Sequence, residues 1–108
     1  MAQNFRRYIA RNTGTSAATL FTADSYDTIV GIRCCNTTSS AVTIDVYIND
    51  GSNDYYLVKT APVPTVGSLE LIDGGSKIIV DNGDILKVIS SASSSIDTWV
   101  SAIDAIST

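Results

Sequence analysis

Ala41–Asp50 reads AVTIDVYIND, and its alternation decides the fold class. Val42, Ile44, Val46 and Ile48 fall on one parity, Thr43, Asp45 and Tyr47 on the other. Successive side chains of an extended chain point to opposite faces, so this is a strand with one buried and one wetter face. The same period runs outward in both directions. Towards the N-terminus, Asp27–Asn36 (DTIVGIRCCN) predicts a strand with Val30, Ile32 and Cys34 on one face, and NFRRYIARN and AATLFTA predict two more. Towards the C-terminus, YYLVKT and GSLELI predict strands, the latter with Leu69 and Leu71 on one face. KIIVDNGDILKVIS predicts a hairpin around Asn82-Gly83, and SSIDTWVSAI a final strand.

Turn residues separate these runs at intervals near ten, and no stretch carries a helical stripe. The expectation is one all-β domain over residues 1–108: an antiparallel β-sandwich of about eight short strands, jelly-roll or immunoglobulin-like. The Cys…Trp…Cys spacing of a true immunoglobulin domain is absent. Pro62 and Pro64 stop one strand and hold an extended connection, either a crossing between sheets or an edge. In the last strand either Trp99 or its neighbours Thr98 and Val100 face inward, and a buried Trp99 plugging the sandwich is the expectation.

Composition narrows the function classes. Hydrophobic residues make up 44% of 108, enough to fold, while charged residues reach only 17%. Ser and Thr fill roughly a quarter of the chain, which suits the wet faces of strands. A net charge of −4 argues against nucleic acid and anionic membranes as partners. No segment is apolar and long enough to span a bilayer as a helix, and MAQNFRRYIARN has no apolar signal region, so the chain is expected to fold in a cytosol. Cys34 and Cys35 are adjacent, which predicts two free thiols, one core-facing and one outward-facing.

Histidine is missing altogether, which removes Ser-His-Asp, Cys-His and His-metal designs, and the acidic pairs sit in turns without a cleft between them. The expectation is a protein that is not an enzyme and takes no cofactor. Asn49–Tyr56 (NDGSNDYY) has acids at Asp50 and Asp54, like the first half of a calcium loop. The closing glutamate is missing, since position 61 is Ala, and a site would have to borrow Asp73 from another turn. The reading adopted is a hairpin connection with no metal, placing Asp50, Asp54, Tyr47, Tyr55 and Tyr56 at an exposed tip. The tyrosines are either a contact surface for protein or sugar, or cross-strand pairs that stabilise the hairpin. Asn36-Thr37-Thr38 matches a glycosylation sequon by chance. Arg6, Arg7 and Arg11, with Tyr8 between them, form a basic stretch at one end of an acidic chain, a candidate docking arm over residues 1–11.

Val42–Ser52 (VTIDVYINDGS), Tyr55–Pro64 (YYLVKTAPVP), Gly67–Gly74 (GSLELIDG) and Lys77–Val88 (KIIVDNGDILKV), closed by a final strand, together resemble small β-rich virion structural proteins of tailed bacteriophages, notably of marine cyanophages. The resemblance spans Phe5 to Ile103 and is one of strands and turns, carrying no catalytic signature. It implies a component of an assembled particle, with the major capsid protein or other virion proteins as partners and the virion as location. Capsid decoration is the leading role implied. A tail, neck or fibre accessory and a carbohydrate-binding host-attachment module are the alternatives. Monomer or trimer is left open, because small sandwiches must cover or pair their edges.

Overall fold

The computed structural model describes residues 4–23, 27–71 and 78–104. Nine strands follow one another: β1 (Asn4–Thr13), β2 (Ala18–Thr22), β3 (Asp27–Asn36), β4 (Val42–Asn49), β5 (Asp54–Val63), β6 (Ser68–Glu70), β7 (Ile78–Val80), β8 (Ile85–Ser90) and β9 (Ile96–Asp104). They form two antiparallel sheets. One has the order β1-β9-β3-β6, with β7 beside β6 on the same flank of β3, and the other β2-β8-β4-β5. There is no helix among the described residues, so none is long and apolar enough to cross a membrane.

The pairing is nested: β4 with β5, β3 with β6 and β7, β2 with β8, and β1 with β9. A single long hairpin is thus rolled up on itself, with its tip at the Asn49–Asp54 turn. With β6 and β7 taken as one interrupted strand, these are the eight strands and two sheets of a jelly roll. The immunoglobulin-like alternative is set aside by this strand order.

The core lies between the sheets. Ile29, Ile32, Val100 and Ile96 come from one sheet, and Ile44, Val46, Leu86 and Val88 from the other, all at 1% exposure or less. β4 keeps the expected parity, with Val42, Ile44 and Val46 buried and Ile48 half-buried. Cys34 is buried and Cys35 half-buried, and neither forms a disulfide. Burial pushes the Cys34 thiol up to about 11, only partly offset by the hydrogen bond that Thr98 Oγ1 donates to it, at 3.8 Å. A thiol reagent at mildly alkaline pH is therefore expected to label one cysteine in the native protein and both after denaturation. Two fast-reacting thiols in the folded protein would show that Cys34 is not held in the core.

Four expectations change. Val30 is not on the core face with Ile32 and Cys34. The β3–β9 register shifts between Ile29 and Gly31, a bulge that buries Ile29 and leaves Val30 partly exposed. KIIVDNGDILKVIS is not a hairpin, because β7 pairs with β3 while β8 pairs with β2 and β4. The turn is tight, with Gly83 at φ 95° and Asp84 N–H donating to Asp81 O, but it carries the chain from one sheet to the other. Gly83 N–H donates to Ala23 O and Asp84 O accepts from Ala23 N–H, which holds the crossing against the end of β2.

The third change is at Pro62, which sits inside β5 rather than after it, opposite Thr43. β5 is an edge strand, so the missing N–H costs no ladder bond, and the crossing to β6 follows at Pro64. The edge and crossing readings both hold, one for each proline. The fourth change is that Trp99 faces outward, at 50% exposure, while Ile96, Thr98, Val100 and Ala102 fill the core parity of β9.

Asn36, the acceptor position of the sequon, is spent on the fold. It is 1% exposed at the end of β3. Its Nδ2 donates to Ser40 O (2.8 Å) and Val63 O (3.2 Å), and its Oδ1 accepts from Thr38 N–H (2.9 Å) and Thr38 Oγ1 (2.8 Å). One amide ties the β3–β4 turn to the end of β5 in the opposite sheet.

Candidate functional site

Two surfaces carry the residues singled out in the sequence. The first is the rolled hairpin's tip. Asn49 Oδ1 accepts from Gly51 N–H, and Asn49 Nδ2 donates to Asp54 Oδ1 at 2.7 Å. Asp50 Oδ1 accepts from Ser52 N–H (3.0 Å) and Asn53 N–H (2.8 Å). Gly51, at φ 102°, supplies the left-handed residue that the turn requires. Both acids are thus spent on turn geometry. Asp73, the residue a calcium site would borrow, lies outside the described residues. No group of three or more metal-ligating side chains is found among the described residues.

The two backbone bonds, Asn53's first, hold the Asp50 carboxyl below the ordinary carboxylate range. A depressed pKa means stability that is present above the unfolded value and lost as pH falls through the folded one. Asp50→Ala is expected to flatten that acid-side loss, compared by chemical denaturation at pH 7 and pH 3. Equal slopes in both proteins would show that the cap is not formed.

The tyrosines at the tip form the cross-strand pair anticipated as one alternative. Tyr47 is paired with Tyr56, ring centroids 5.0 Å apart, and Lys59 Nζ lies 4.3 Å from the centre of the Tyr56 ring. Burial raises the Tyr47 phenol above its ordinary pKa, with negative charge at Asp54, Tyr56 and Asp45 adding to it. Tyr55 is left at 49% exposure, Tyr56 at 45%.

The second surface is the outer face of β1, β9 and β3. Residues 4–11 do not form a free arm, and residues 1–3 of the expected arm lie outside the described residues. Asn4 to Ala10 pair continuously with Asp104 to Thr98, so the arginines belong to a strand of the sandwich. Removing 1–11 would strip an edge strand from the sheet, so the expected docking arm is part of the fold from Asn4 onward. Tyr8 is a packing residue: its ring stacks on the buried Phe21 at 4.3 Å and 10°, pinning β1 to the opposite sheet. Arg6 shares that inner parity. Phe5, Arg7, Ile9 and Arg11 take the outer parity, and all four are exposed.

Trp99 is the residue that sequence reasoning placed wrongly. It sits at the centre of this face, opposite Ile9 on one side and Arg33 on the other. The Arg7 guanidinium carbon is 5.5 Å from the indole centre. A depression of about 520 Å³ is lined by Ile9, Arg11, Arg33, Cys35, Asp97 and Trp99. A second, of about 410 Å³, lies across Trp99 against Gly31, Glu70 and Ser101. Arg33 Nε donates to Glu70 Oε1 at 3.3 Å, and Asp97 Oδ1 accepts from Asn12 N–H at 2.9 Å where β1 bulges. The arrangement offers an indole platform, aliphatic neighbours and guanidinium donors, a chemistry of binding. A signal for it was present in the sequence, since Asp97 and Ser101 share the parity of Trp99 and a carboxylate resists burial more than the Thr98 hydroxyl does.

Comparison with protein-family models, curated proteins and solved structures returned no match.

Proposed function

We propose that this domain is a non-catalytic structural protein of a phage particle, a decoration protein that binds the outer surface of an assembled capsid shell. The observation that carries the reading is the outer face of β1, β9 and β3, where Phe5, Ile9 and Trp99 lie exposed among Arg7, Arg11 and Arg33. Exposed aromatics with arginine are the composition of contact surfaces. The jelly roll is a fold that capsid proteins use, and the resemblance to phage virion proteins points the same way, both by analogy.

The test is protein quantification in purified particles, together with binding of Trp99→Ala and Arg7→Glu variants to assembled shells. Decoration requires copies on the order of hundreds per particle, in symmetric arrays. Tens or fewer would move the chain to the tail, neck or fibre, and its absence from particles would overturn the reading. Both variants should lose shell binding with the fold unchanged.

A carbohydrate-binding module is favoured by a separate observation: jelly rolls also serve as lectins, and Trp99 offers a stacking platform beside Glu70 and Asp97. Glycan-array binding lost in Trp99→Ala, and kept in Tyr55→Ala and Tyr56→Ala, would select that reading.

A further inference from the structure

We infer that β1 is an open receptor strand: it accepts an extended segment of a partner protein, in which apolar and acidic residues alternate at every second position, as an added strand of the sheet. The inference rests on the docking reading above and names its mode.

The sandwich has four sheet edges, and three are blunted. β5 carries Pro62 and two register shifts, with Thr60 at φ 54° and its N–H donating to Asp45 Oδ1 at 2.7 Å. β2 is five residues long and shifts register between Thr19 and Phe21. β6 and β7 are three residues each. These are the ordinary devices that stop strands from recruiting partners. β1 has no proline and no register shift before its end, and its exposed arginines oppose a like-charged edge but not an acidic one. It pairs without interruption from Asn4 to Ala10 and has β9 as its only strand partner among the described residues. Among the described residues its other side therefore presents a row of backbone N–H and C=O groups.

The side chains select the occupant. Along the outer face β1 reads Phe5, Arg7, Ile9, Arg11, apolar and basic in turn. Three of the chain's seven cations fall between Arg6 and Arg11, in a protein of net charge −4, and β1 contains no acid. Two copies of β1 side by side would bring four guanidiniums, Arg7 and Arg11 from each, onto the outer face of one seam, which disfavours self-pairing. An incoming strand with acids facing Arg7 and Arg11 and apolar residues facing Phe5 and Ile9 satisfies every outward position. Backbone bonds supply affinity, and the alternating pattern supplies register.

A synthetic peptide, Leu-Thr-Asp-Thr-Leu-Thr-Asp, titrated into the full chain should shift and protect the backbone amides of residues 5–11, read by NMR and hydrogen exchange. The double variant Arg7→Glu with Arg11→Glu, with its melting checked, should bind that peptide about tenfold more weakly, two cross-strand charge pairs being turned from attraction to repulsion. It should bind the Lys-for-Asp peptide better than the native chain does. Unmoved β1 amides, equal binding of acidic and basic peptides, or sedimentation showing that two chains pair through β1 would overturn the inference. Shell binding without any effect of the peptide would overturn the strand mode and leave the particle reading standing. Peptide binding by a chain absent from particles would do the reverse.

Discussion

Replacing Asn36 by alanine is expected to lower the unfolding free energy by about 3 kcal/mol, through buried groups left without partners. The side chain makes four hydrogen bonds at a site 1% exposed, and two of its partners, Ser40 O and Val63 O, belong to segments flanking different strands. Ser40 is exposed and can turn to water. Val63 is wholly buried, so its carbonyl has little recourse to solvent, and the Thr38 donors lose the acceptor that shapes the turn. Asn36→Asp sharpens the test. It keeps the acceptor for Thr38 but sets a carboxylate against two carbonyl oxygens. Its folded pKa must then be raised, so the folded state binds the extra proton. The sign follows: the variant is weakest at neutral pH and recovers as pH falls towards the unfolded carboxylate value of about 4. Urea unfolding at pH 7 and pH 4.5 checks both statements. An alanine variant within about 0.5 kcal/mol of the parent, the scatter of surface substitutions, would show that the amide clip is not formed.

Ile32→Ala is expected to cost about 3 kcal/mol or more, while Trp99→Ala costs under about 1 kcal/mol, although tryptophan is the larger side chain. The two sit on neighbouring positions of the β3–β9 ladder, Ile32 opposite Val100 and Trp99 opposite Arg33, on opposite faces of one sheet. Ile32 has no exposed surface, so its removal leaves a cavity between the sheets. Trp99 is half in water and gives up little beyond its contact with Arg7. It is also the only tryptophan, so intrinsic fluorescence reports on it alone. Native emission should lie close to that of the unfolded chain and be readily quenched by acrylamide. A blue-shifted, quencher-resistant native signal would put the indole in the core and reverse both expectations.

The parity of each strand was legible because burial of one face is written residue by residue, as in Val42 to Ile48. What parity cannot say is which sheet a strand joins. Asn82-Gly83 looks like a hairpin turn whether the flanking runs pair or part, and here Val80 and Leu86 bury into one core from opposite sheets. Bulges hide for a related reason. Val30 is as apolar as Ile29, and only the β9 register displaces it from the core. Of the candidate site, the arginines were legible as charge. Their assembly around Trp99 was not, because that needs β1 and β3 to flank β9, a pairing of segments far apart in sequence.

The nesting of the strand pairs also sets an order in time. The Asp50–Asn53 turn closes the shortest loop, and each further pair encloses a longer one, ending with Asn4 opposite Asp104. Loop closure costs rise only slowly with length, so pairs that follow an already closed neighbour form easily, while a chain so rich in distant pairings collapses to its native state slowly. Assembly is expected to run outward from the tip as a zipper does, with β1 the last tooth to engage and the first to release. The turn that first looked like a metal loop is then the seed of the whole domain, and the edge strand β1 is its last addition.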